Sequence, residues 1–67
     1  VKNKIKIQRA IKNMTQEDLA KKVGVSRQTI NAMEANKYVP STVLAMKIAK
    51  VFSTSVEDIF FLDKDDY

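Results

Sequence analysis

Apolar residues recur at helical spacing along most of this 67-residue chain and mark out five helical segments: residues 3–12, 16–23, 27–35, 42–52 and 56–62. In the second, Leu19, Ala20 and Val23 form an apolar edge, and Thr15 stands where a cap is needed, with Asp18 three residues on in an aspartate form of the capping box. Gly24 suits the left-handed backbone just past a helix end. Val25 is placed to plug the angle to the next helix, and Ser26 to cap it. Ser41, following Pro40, caps a fourth helix whose Leu44, Ala45, Ile48, Val51 and Phe52 share one face, and Ser55 caps a fifth with Asp58 three residues later. No strand alternation, linker or repeat interrupts this pattern, so an all-α bundle is expected, with residues 63–67 as a frayed acidic tail.

The third segment departs from an ordinary solvated helix. Ile30 and Met33 make a narrow inward stripe, which leaves Arg27, Gln28, Thr29, Asn31 and Ala32 facing elsewhere. Thr and Asn are mediocre helix formers, and a face built only for stability would carry Glu, Lys or Ala. Residues 14–38 therefore read as two short helices joined by a tight turn, the second presenting a polar face for contact: a helix-turn-helix.

Composition narrows the class. A chain of this length forms one domain with a small core, and with no cysteine it has neither disulfides nor a thiolate metal site to support it. Helix packing, aided by oligomerisation, must carry the stability. Uncharged runs are too short to span a bilayer, and the basic start lacks the apolar stretch of a signal peptide, so a cytoplasmic protein without membrane association is expected. Val1 reads as a GTG start codon written as valine.

Charge is unevenly spread. Residues 1–50 carry eleven Lys or Arg against three acids, a net +8, whereas residues 51–67 carry Lys64 against five acids, a net −4. A basic body suits a polyanion partner, because neutralising phosphates supplies most non-specific nucleic-acid affinity. Histidine and cysteine are both absent, which removes His-activated nucleophiles and imidazole zinc sites. Asp63, Asp65 and Asp66 alternate like a fragment of a calcium loop but lack its glycine and distal glutamate. No enzyme activity, metal or cofactor is expected.

The run TQEDLAKKVGVSRQTINAMEANKYVPS, followed by an apolar helix and SVEDIF, resembles the Cro/CI-type (XRE-like) helix-turn-helix regulators, in particular their short stand-alone bacterial and archaeal forms. Thr15-Gln16, Leu19-Ala20, Gly24-Val25-Ser26, Gln28, Ile30, Glu34, Lys37-Tyr38 and Pro40-Ser41 carry the resemblance in order and register, over nearly the whole chain. It implies a five-helix, lambda-repressor-like DNA-binding domain over residues 1–62, with the helix-turn-helix at 16–35 and an acidic tail at 63–67. It also implies a homodimer that binds double-stranded operator DNA.

Carried over by position, the resemblance makes residues 27–35 the reading helix. Gln28 is expected on a base edge, where its amide can pair with adenine. Arg27 is expected on guanine or on a phosphate, and Asn31 and Ala32 as weaker base contacts, the latter offering only a methyl. Gln16, at a helix N-terminus that favours anions, is expected on a phosphate while bracing the reading helix; Thr29, Asn36 and Lys37 are further phosphate contacts. Asn36 stands where the family usually has Gly and tolerates the same left-handed turn. Arg9 and Glu34 resemble the family ion pair joining helix 1 to helix 3, which at the surface would contribute only about 0–1 kcal/mol.

Several positions depart from the family. Ile7 and Ile11 form an apolar pair on a side of helix 1 that is usually charged, so the helix is either rotated or meets a partner. Ser53 replaces a Gly or Asn after helix 4, and Val43 is expected to be exposed. Phe60, Phe61 and Leu62 cannot all face one small core: Ile59 and Phe60 are assigned to it, and Phe61 and Leu62 to a dimer interface. Two functions fit: a dimeric transcriptional regulator acting as a repressor on an inverted-repeat operator, or an antitoxin or adaptor that docks a regulatory protein partner through the C-terminal apolar surface.

Overall fold

A computed structural model describes residues 1–67. The chain runs β1 (Lys2–Asn3), α1 (Ile5–Ile11), α2 (Gln16–Val23), α3 (Arg27–Glu34), α4 (Thr42–Val51), α5 (Val56–Ile59) and β2 (Phe60–Phe61), and closes in a short 3₁₀ turn (Lys64–Asp66). The five helices enclose a core of thirteen buried side chains, all apolar, with Ile5, Leu19, Ile30, Met33, Ile48 and Ile59 sealed from solvent. Helix α2 packs on both α3 and α4, and α4 on α5. No helix is long and apolar enough to cross a membrane.

Local signals account for most of the helix ends. Thr15 accepts a hydrogen bond from the Asp18 amide while the Asp18 carboxylate accepts from the Thr15 amide, which closes the capping box. Ser26, Ser41 and Ser55 each cap the helix that follows. Helices α1, α3 and α4 end alike: the residue after the C-cap turns left-handed (Asn13 φ 52°, Asn36 φ 60°, Ser53 φ 53°), and the amide beyond it reaches back to the Arg9, Ala32 or Ala49 carbonyl at 2.9 Å. This is the Schellman arrangement. Ser53 therefore keeps the turn that Gly or Asn would form, at the steric cost of a Cβ in left-handed backbone.

Both ends of the chain differ from the sequence expectation. Helix α1 begins at Ile5 rather than at residue 3, because the Asn3 side-chain carbonyl accepts from the Ile5 amide at 3.1 Å and the Lys4 amide donates to the Ile59 carbonyl at 2.9 Å. Helix α5 stops at Ile59 rather than at residue 62. Phe60 is extended (φ −118°, ψ 138°), and β2 pairs antiparallel with β1, Lys2 opposite Phe61 and Asn3 opposite Phe60. Aromatic residues favour such a pleated, half-buried ladder, and its alternation turns Phe60 inward and Phe61 outward.

The tail is ordered as a turn rather than frayed. The Asp66 carboxylate accepts from the Asp63 amide and that of Asp63 from the Asp65 amide, while the Val1 ammonium lies 2.8 Å from Asp66. Helix α1 is not rotated: Ile5 is buried and Arg9 points to α3, which leaves Ile7 and Ile11 59% and 68% exposed. Val43 is exposed, as expected.

Candidate nucleic-acid interface

One side of α3 is anchored and the other is free. Ile30 and Met33 are fully buried against the core, while Arg27, Gln28 and Asn31 are exposed and make no side-chain hydrogen bond within the chain. Spacings of three and four residues put Gln28, Asn31 and Ala32 on one helix face, with Arg27 at its leading edge. Ala32 is half-buried and offers little more than its methyl group. The hydroxyl of Thr29 is already engaged with that of the capping Ser26 at 2.9 Å, so it reinforces the start of the helix.

The far end of α3 is held by side chains from other elements. Arg9 grips Glu34 in a two-toothed pair, Nε to Oε2 at 2.6 Å and Nη2 to Oε1 at 3.0 Å, and its remaining nitrogen donates to the Met14 carbonyl at 2.8 Å. Gln16 adds its amide to Glu34 Oε1 at 3.0 Å. The side chains of Arg9 and Glu34 are only 14% and 7% exposed, so this pair is not a surface ion pair of negligible strength. Burial pushes the Glu34 carboxyl up, but the bonds from Arg9 and Gln16 together with the Arg9 charge hold it net below the usual carboxylate range. A second clamp was not foreseen from the sequence: the side-chain amide of Asn3 donates to the Met33 carbonyl at 2.8 Å. The sequence places Asn3 as the first residue of helix 1, a reading that says nothing of α3.

An open groove bordered by Arg9, Asn13, Thr15, Gln16 and Arg27 lies where α1 ends and α2 and α3 begin. It brings the N-terminus of α2 beside the free guanidinium of Arg27, a setting suited to a phosphate, whereas the nitrogens of Arg9 are taken by Glu34 and Met14 and the Glu17 carboxylate also borders the groove. Asn36 and Lys37 are exposed in the turn after α3, with no acidic group paired to Lys37. Phe61 and Leu62 stand apart from this surface, 40% and 57% exposed, with the Lys4 ammonium 5.9 Å from the Phe61 ring centre.

Residues 5–59 match the family model described as helix-turn-helix. An uncharacterized HTH-type transcriptional regulator of Methanocaldococcus jannaschii is 61% identical over 66 residues, spanning 98% of this chain and 100% of that protein. A regulator of the same description from Archaeoglobus fulgidus is 53% identical over 98% of this chain and 93% of its own length. The Bacillus subtilis regulator YgzD is 48% identical over 98% of this chain and 100% of its own.

Proposed function

We propose, because this chain belongs to the helix-turn-helix family and is a DNA-binding transcriptional regulator, that it reads an inverted-repeat operator as a homodimer and represses by occluding the promoter. The observation that carries this reading is the free polar face of α3, set on a helix whose opposite side is sealed in the core and whose far end is clamped. A helix of eight residues is about 12 Å long and covers only a few base pairs, so two must act together. Arg27, Gln28, Asn31 and Ala32 are proposed to meet base edges. Gln16, Asn36 and Lys37 are proposed to meet the backbone on either side, and Thr29 to do so with the hydroxyl valence that its bond to Ser26 leaves free, with residues 63–67 an acidic appendage to the DNA-binding domain at 1–62.

Selection of binding sites with the purified protein tests the reading as a whole, and two substitutions test its parts. Gln28→Ala is expected to remove preference at one base position, costing about 1–3 kcal/mol on the selected site and little on random DNA. Equal losses on both duplexes would make Gln28 a backbone contact. Lys37→Ala should weaken binding to both and reduce the salt slope by about one unit. An unchanged slope would remove Lys37 from the phosphate contacts. The exposed Phe61 and Leu62 also suit an antitoxin or adaptor docking a protein partner, and failure of the selection to yield any common sequence would favour that role.

A further inference from the structure

The last carbonyls of a helix have no partner within it, and those of α3 lie at the end of the helix proposed to read DNA. Two groups meet the Met33 carbonyl: the Asn36 amide at 3.0 Å, which belongs to the local turn, and the Asn3 side chain at 2.8 Å, which comes from thirty residues away. The same Asn3 amide lies 3.5 Å from the Asn36 side-chain oxygen, and the Asn3 carbonyl caps the first turn of α1. Asn3 is half-buried, and its backbone lies opposite Phe60 in the β1–β2 ladder, one residue from the pair formed by Lys2 and the exposed Phe61. Through one side chain, the start of α1, the end of α3 and the strand beside Phe61 are held in a single geometry.

We propose that Asn3 is a positioning residue for DNA readout, tying the end of the reading helix to the ladder and so to the Phe61–Leu62 surface where two protomers meet. The inference rests on the proposed reading of DNA by α3 in a two-fold dimer joined through Phe61 and Leu62. In such a dimer the distance between the reading helices is set by every link between the interface and α3. The Arg9 and Gln16 contacts fix α3 to α1 and α2, whereas Asn3 fixes it to the strand adjoining the interface. Loss of this link would leave each protomer able to grip DNA but less strict about the spacing of its half-sites.

Asn3→Asp breaks the link, at the cost of a carboxylate set against the Met33 carbonyl. The carboxylate still accepts from the Ile5 amide and adds a favourable negative charge at the start of α1, but it has no proton to give the Met33 carbonyl. Wild type, Asn3→Asp and Gln28→Ala would be titrated against three duplexes: the repeat recovered by selection, the same repeat with one base pair added at its centre, and a scrambled sequence. Asn3→Ser, which also retains an acceptor but cannot reach Met33 and adds no charge, is titrated beside it, so that loss of the link is read apart from charge repulsion of DNA and remains readable should Asn3→Asp fail to fold. The expected result is a folded dimer whose affinity for the selected repeat falls about tenfold, as when the aligned arrangement of the reading helices is held only about a tenth of the time, with scrambled DNA bound within about twofold of wild type. The penalty for the added base pair should shrink by a similar factor. Wild-type affinity and spacing penalty in the Asn3 variant, alongside lost discrimination in Gln28→Ala, would overturn the role of Asn3 while sparing the reading by α3. An equal loss on all three duplexes would reduce Asn3 to a general stabiliser and also overturn it. If wild type ignores spacing or binds the selected repeat no better than the scrambled duplex, the reading fails and the inference with it.

Discussion

Leu62→Asp and Phe61→Asp are each expected to yield a folded monomer whose affinity for the full operator is about 100- to 10,000-fold below wild type, the advantage that two linked binding events hold over one. Neither side chain belongs to the sealed core; Leu62 is 57% exposed, so a carboxylate there costs the monomer little, whereas Phe61, 40% exposed, gives up some packing in the ladder. In a two-fold interface the same carboxylate would be stripped of water against the partner's apolar surface, a penalty no apolar contact offsets. Leu62 lies just beyond the ladder and is the cleaner site, since the backbone of Phe61 pairs with Lys2. Sedimentation reports the assembly, and binding to a lone half-site should survive weakly in both variants. A wild type that sediments as a monomer at micromolar concentration without DNA would exclude a preformed dimer. If it also bound one half-site as tightly as two, about 34 Å apart, the two-fold model would have to be abandoned.

Glu34→Ala is expected to cost about 3 kcal/mol of folding stability, because it strands three donors: two from Arg9, itself mostly buried, and one from Gln16. For a domain of 67 residues this is a large part of the total, and a urea titration would show it as a lower midpoint with unchanged slope. The pH dependence has a definite sign. The folded carboxyl of Glu34 titrates below its unfolded value, so its contribution is complete above the ordinary carboxylate range and is lost as pH falls through the folded value. Asp18, held down chiefly by the Thr15 amide, acts in the same direction. Glu34→Gln should therefore flatten the acid limb of stability against pH without abolishing it. A limb as steep as that of wild type would deny Glu34 its place in the acid response.

What the sequence discloses and what it conceals divide along the range of the interactions. Thr15, Asp18, Gly24 and Ser26 act within three or four residues of themselves, and each cap lies where its neighbours predict it. Ile30 and Met33 were legible as an inward stripe because helical periodicity alone assigns them a side. The run Ile59-Phe60-Phe61 was not, since apolar residues in sequence fit a buried helix end or a strand equally, and only the distant Lys2 and Asn3 decide between them. The same holds for the site. Arg9 and Glu34 were matched by position, but their burial, which turns a weak surface pair into a strong clamp, depends on how α1, α2 and α3 pack together. Asn3 looked like the first residue of a helix, and nothing within its own neighbourhood points thirty residues ahead to Met33.

The pairing of Lys2 and Asn3 with Phe60 and Phe61 has a consequence for synthesis. Closing so long a loop is entropically expensive, and two paired residues a side cannot hold it shut until the helices between them have packed. Helices α1 to α4 are complete in sequence by Val51, yet the strand that closes the ladder follows only at Phe60. A molecule interrupted before Phe60 lacks both the partner strand for Asn3 and the proposed contact surface. Chains that stop before Phe60 are therefore expected to hold an inverted repeat weakly, although the reading helix is finished well before.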